Sequence, residues 1–141
     1  MVKGKIFVLG VLFSVFLSCV CFAETNEEEI FRVVYDNLAA MEEENLVDYM
    51  DTISEDSPGY NTTKQQLLIL FNNYDLDYEI ESIELLESSA NEAKVKVIQS
   101  TRKIEGPEFR NNKIVGIHTL EKTDGGWKIY STEIRNIEYL D

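Results

Sequence analysis

The sequence predicts an α+β fold in which three N-terminal helices pack in the concavity of a curved four-stranded antiparallel sheet. Two observations predict it. Up to Tyr74 the apolar residues recur at spacings of three and four, and from Leu76 onward at a spacing of two, so a helical half gives way to a strand half. Asp124, Gly125 and Gly126 then separate two β-rich runs, 116–122 and 127–137, and can take up the positive φ angles of a tight hairpin turn.

The first segment stands outside that domain. Lys3 and Lys5 precede an apolar run over 6–20, and Cys21-Phe22-Ala23 places small residues before Glu24, the pattern of a secretory signal peptide at 1–23 cut after Ala23. The run is shorter than the roughly 20 apolar residues of a spanning helix. The domain is therefore expected at 24–141 and exported, periplasmic or extracellular. A membrane-anchored lipoprotein through a lipidated Cys19 is the other possibility: Ser18 suits such a signal, whereas Phe16, Leu17 and Val20 suit it poorly.

Thr25 and Glu28 form a capping-box pair, and Glu27, Glu28 and Glu29 sit at the positive end of the helix that follows. Ile30, Val33, Val34, Leu38 and Met41 give that helix one apolar face, and it is expected to close near Glu44 or Asn45, since Asn tolerates the left-handed conformation. Leu46, Tyr49, Met50 and Ile53 predict a short second helix, ended by the turn-rich residues 54–59. Thr62 with Gln65 reads as the cap of a third, whose buried face is Leu67, Leu70, Phe71 and Tyr74.

In the strand half, Tyr78 and Ile80 alternate with acids, and Ile83 and Leu85 continue in the opposite phase, so a bulge is expected around Ser82. A second strand over 91–104 turns Ala93, Val95 and Val97 one way and Lys94 and Lys96 the other, with a further slip expected at Ile98. Glu105 to Asn112 is polar and reads as a loop before the closing hairpin.

Composition narrows the chemistry. Both cysteines, Cys19 and Cys21, fall in the signal segment, leaving the domain no disulfide, thiol nucleophile or cysteine metal site. The whole chain carries a formal charge of −13, and cleavage would remove two lysines and no acid, so the surface repels nucleic acid and anionic lipid. Membrane contact is expected only through the signal segment or Cys19. The acid pairs Asp75/Asp77 and Glu55/Asp56 do not continue into a calcium loop, no His or Cys pair supports zinc, and no glycine-rich phosphate loop or nucleophile elbow occurs, so neither metal nor cofactor is expected.

The stretch Tyr35 to Asp56, with its acidic-Asn break, and the stretch His118 to Glu133, with Asp124-Gly125-Gly126-Trp127, resemble the NTF2-like superfamily, also described as SnoaL-like or cystatin-like cones. The resemblance implies a pocket between sheet and helices. It fits three roles: a non-catalytic domain that binds a small apolar or amphipathic ligand or a protein partner; a small isomerase, dehydratase or cyclase; or a homodimerising structural domain. For the enzyme, the residues to weigh are Tyr35 or Tyr49 as hydrogen-bond donor and His118 or Asp48 as base, because the isomerase members use a tyrosine and a carboxylate and an imidazole titrates near neutrality. The bland alternatives are tyrosines packed by their rings, a structural histidine, a solvated Asp48, and Arg102 and Arg135 paired at the surface.

Overall fold

A computed structural model describes residues 25–140; the expected signal segment and Cys19 lie outside them. The elements follow in the expected order: α1 (Asn26–Glu42), α2 (Leu46–Asp51), α3 (Tyr60–Asn73), then β1 (Asp75–Ser88), β2 (Glu92–Glu105), β3 (Asn112–Thr123) and β4 (Gly126–Tyr139). The strands form one antiparallel sheet in sequence order, each paired with the next.

The capping box of α1 forms in both directions. The Glu28 amide donates to Thr25 Oγ1 at 3.3 Å, and the Thr25 amide to Glu28 Oε2 at 3.0 Å. α1 closes at Glu44, one of the two positions expected, but not on the asparagine. Glu44, not Asn45, takes the left-handed conformation, at φ 52°, while Asn45 is extended and caps α2, its side chain accepting from the Asp48 amide at 3.1 Å. One asparagine cannot do both, and the side-chain cap wins because it satisfies an orphan donor of α2.

The start of α3 is also earlier than read. The Thr62–Gln65 cap does not form: the helix begins at Tyr60 with Gly59 as a cap that makes no side-chain bond. The Ser57-Pro58-Gly59 turn has already bent the chain, with Ser57 accepting from the Gly59 and Tyr60 amides, so Thr62 enters inside the first turn.

The β1–β2 register shifts between Ile80 and Ser82, where the period-two pattern reversed phase. The slip expected at Ile98 is absent from the β2–β3 pairing, which runs without interruption from Glu92↔Glu121 to Thr101↔Asn112. Gln99 and Thr101 thus continue on the face of Val95 and Val97. Ile98 instead faces outward, paired with Val115, so an apolar residue on the outer face imitated a reversal of phase in the sequence. β3 begins at Asn112, inside the region read as loop. Two shifts between β3 and β4 leave Tyr130 and Arg135 as extra residues, and such bulges bend a strand, so β4 curls and the sheet becomes a trough. In the closing hairpin, Asp124 and Gly125 make the turn, and the positive φ, 101°, falls on Gly126.

The trough is packed solid at the end that carries both hairpin turns. Ala93, Val95, Leu120, Trp127 and Ile129 meet Ile30 and Val34 of α1 there, each buried. Trp127 Nε1 donates to Asn26 Oδ1 at 3.0 Å, which ties the start of α1 to the hairpin. Past α2, the backbone is stitched to β4: the Ser54 amide donates to the Ile129 carbonyl at 2.9 Å, and the Ile129 amide to the Thr52 carbonyl at 2.8 Å.

Candidate functional site

Toward the opposite end, the helices and the sheet part and leave a cavity of about 480 Å³. Its roof is built from α1, α2 and α3; its floor is the concave face of β2, β3 and β4. On α1, Val34, Asn37 and Met41 project into it at spacings of three and four, and Gln66 and Leu70 do the same from α3. On the floor, strand alternation brings Gln99 up beside Val97, and register pairs His118 with Thr132 and Gly116 with Ile134. Among the described residues that line this cavity there is no Asp, Glu, Lys or Arg.

Of the four residues named as candidates for catalysis, the cavity brings together two. His118 sits on the floor with Nδ1 2.7 Å from Thr132 Oγ1. Its ring is half-buried, and desolvation pulls the imidazole from an ordinary 6.5 down to about 4, so it is neutral at pH 7. Tyr49 reaches the roof from α2. Burial raises its hydroxyl above the usual phenol range, partly offset by a hydrogen bond from Asn37. Asn37 in turn donates to Thr52 Oγ1 at 2.7 Å, and Thr52 Oγ1 to the Tyr49 carbonyl at 2.7 Å, so the tyrosine's backbone and ring are held by one network. Tyr78 stands nearby, raised to about 12 by burial first and by Glu44 and Tyr49 second.

The other two lie elsewhere. Tyr35 is exposed on α1 and does not line the cavity. Asp48 is exposed in the first turn of α2, accepting from Asn45 Nδ2 at 2.6 Å, and borders an open groove at the far end of the domain. That groove is larger, about 880 Å³, and is rimmed by Asp51, Glu55, Asp56, Asp124 and two lysines. Among the described residues no group of three His, Cys, Asp or Glu could hold a metal ion. Arg102 is exposed on the outer face of β2 and Arg135 pairs with Glu133 at 2.9 Å.

Five polar residues that line the cavity were not singled out as site candidates from the sequence: Asn37, Thr63, Gln66, Gln99 and Thr132. Asn37 had a signal, since it interrupts the apolar stripe of α1 between Val34 and Met41. Gln99 had one too, once β2 is read without a slip. Neutral amides in otherwise apolar positions are what marks this site.

The family model described as the C-terminal domain of anti-sigma-I factor RsgI9 matches residues 32–140. Anti-sigma-I factor RsgI9 of Acetivibrio thermocellus is 38% identical over 108 residues, which are 77% of this chain but 15% of that protein. Among solved structures, an NTF2-like protein of unknown function from Pseudomonas putida superposes with a TM-score of 0.66 at 9% identity, covering 77% of this chain and 84% of that one. A cystatin-like protein of unknown function from Nostoc punctiforme gives a TM-score of 0.64 at 12% identity over 77% and 88% of the two chains. At such identities the likeness establishes the fold, an NTF2-like cone, and leaves the activity to the site itself.

Proposed function

The chain belongs to the family of the C-terminal domain of anti-sigma-I factor RsgI9, and from that premise we propose that it is an exported, non-catalytic recognition domain. It works outside the cytoplasm, holding a small apolar or amphipathic molecule in the open end of the cone. Because it spans only 15% of the length of RsgI9, the sigma factor that RsgI9's name implies is a proposal for this chain and not a premise. The relationship supports a regulatory setting in which a protein partner answers to the ligand-bound state of the domain.

The observation that carries this reading is the cavity of about 480 Å³ between helices and sheet, of ligand size and lined by apolar and neutral polar side chains. Binding suits it better than proton transfer. An isomerase-type reaction asks for a buried acid, and the lining offers none; an imidazole held near 4 is a weak base at neutral pH. Should the domain be a small isomerase, dehydratase or cyclase instead, His118 and Tyr49 are the pair positioned to serve it.

Native mass spectrometry of the protein purified from its own source tests the proposal. A co-purified small molecule that is displaced by an apolar probe supports it; protein that carries nothing and takes up no apolar probe refutes it. Export is checked by cell fractionation with an antibody, and recovery from the cytosol alone would remove that part.

A second reading, pairing through the outer face of the sheet, is favoured by Ile98, Val115 and Ile117. They lie on neighbouring strands of that face, which no described helix covers, flanked by charged side chains. Light scattering decides it: a monomer at high concentration excludes a homodimer.

A further inference from the structure

Resting on the reading of the cone as a ligand pocket, we propose that its ligand is uncharged, an amphipathic molecule whose hydroxyl-type head pairs with His118 and whose apolar part lies along Ile114, Ile134 and Ile137.

The first ground is charge. The chain contains 26 acidic and 13 basic residues, yet none of the described ones lines the cavity. An ionic ligand entering it exchanges hydration for neutral dipoles with no counter-charge, which does not repay the desolvation of its charge. A neutral hydroxyl loses only hydrogen bonds, and the cavity can return them.

The second ground is the His118–Thr132 pair. The threonine hydroxyl turns freely and the neutral ring has two tautomers, so the 2.7 Å contact can run either way. When Nδ1–H donates to Oγ1, Nε2 is left as an acceptor; when Oγ1–H donates to Nδ1, Nε2–H is left as a donor. A pair that can present either role matches a hydroxyl, which is both donor and acceptor.

The third ground is the apolar floor that continues outward. Ile114 and Ile134 line the cavity, and Ile137, directly across from Ile114 in the β3–β4 register, extends the strip past the mouth. Ile134 and Ile137 are 50% and 47% exposed, unusual for isoleucines on the concave face of a sheet. Gly116, opposite Ile134, keeps the floor low: a Cβ there would meet nothing closer than 3.7 Å, so a larger side chain would rise into the cavity without backbone strain.

The test is calorimetric titration of the full chain at pH 7 with three probes of equal chain length: 1-decanol, decanoate and decyltrimethylammonium. Decanol is expected to bind at least about tenfold more tightly than either ion. Gly116→Leu should abolish binding, and Thr132→Val, of nearly the same shape, should weaken decanol binding by about fivefold or more with the fold intact by circular dichroism. If either ion binds as tightly as decanol and Gly116→Leu still blocks all three, the neutral-ligand inference is overturned and the pocket reading stands. If none binds, or if Gly116→Leu leaves decanol binding unchanged, both are overturned.

Discussion

At the end of the sheet that carries both hairpin turns, Val95, Leu120, Trp127 and Ile129 are at most 3% exposed and lie against Ile30 and Val34. At the other end of the same strands, on the same face, Gln99, Ile114 and His118 are half-buried and Ile134 is exposed, around a cavity. The alternation that turns residues inward is the same at both ends. What differs is the cover: α1 presses its apolar face onto the hairpin end, whereas at the open end Asn37 and Gln66 face the floor and the helices stand off. Inward-facing therefore means stability at one end and binding at the other.

The largest expected effect belongs to the packed end. Leu120 is fully buried at the centre of the core, so Leu120→Ala should destabilise by about 4 kcal/mol, read by urea denaturation followed at Trp127. A loss under about 1 kcal/mol would mean that this end is no better packed than the other.

A smaller but substantial loss is expected at the open end, for backbone rather than core reasons. Gly106, in the β2–β3 loop, has φ 124°, and a Cβ there would come within 2.6 Å of the Asn73 carbonyl oxygen. The loop is thus clamped to the end of α3, with Tyr74 also against Phe109 at a ring separation of 6.0 Å. Gly106→Ala should cost about 2 kcal/mol by the same assay. No effect would show that the open end is loose throughout and not a cavity between fixed walls.

Acid should act on the open end through His118. Its native pKa, about 4, lies below the 6.5 of the unfolded chain, so above pH 6.5 the ring is neutral in both states and contributes no pH dependence. Between 6.5 and 4 the unfolded state takes up the proton first, and stability falls as pH drops, by roughly 2 kcal/mol for a half-buried ring in partial contact with water. Below 4 the loss levels off. His118→Gln should lack this slope while keeping the acid transitions of the carboxylates, and the difference between the two denaturation-against-pH curves isolates it. Identical curves would mean that the ring is fully hydrated and no part of a dry cavity.

The packed end was legible in the sequence and the open end only in part, for one physical reason. Apolar residues at regular spacing announce burial, so Ile30, Val34, Val95 and Trp127 could be placed from pattern, and the reversal of phase at Ser82 located the bulge of β1. Cavities are marked by polar residues in inward positions, and these look like solvent-facing residues unless the strand phase is known. Reading a slip at Ile98 hid Gln99. The bulges at Tyr130 and Arg135, set by pairing across β3 and β4, decide that Thr132, Ile134 and Ile137 share a face, and nothing local to β4 specifies them. His118 and Tyr49 stood out by residue type; that Tyr35 and Asp48 lie outside the cavity follows from helix rotation, which one residue of phase settles.

The smallest expected effect on stability distinguishes the two ends most sharply. Gln66 lines the cavity from α3 but is itself exposed, so Gln66→Leu removes an amide from the rim without opening a hole or orphaning a buried partner. Its change in stability should stay within about 0.5 kcal/mol, the range of surface substitutions. In the packed end a change of shape that large would strain the core by about 1–3 kcal/mol. Uptake of an apolar probe, by contrast, should tighten, since the rim becomes more apolar. If Gln66→Leu instead costs more than about 1 kcal/mol with probe uptake unchanged, the rim is ordinary core and the division of the sheet into a supporting half and a binding half fails.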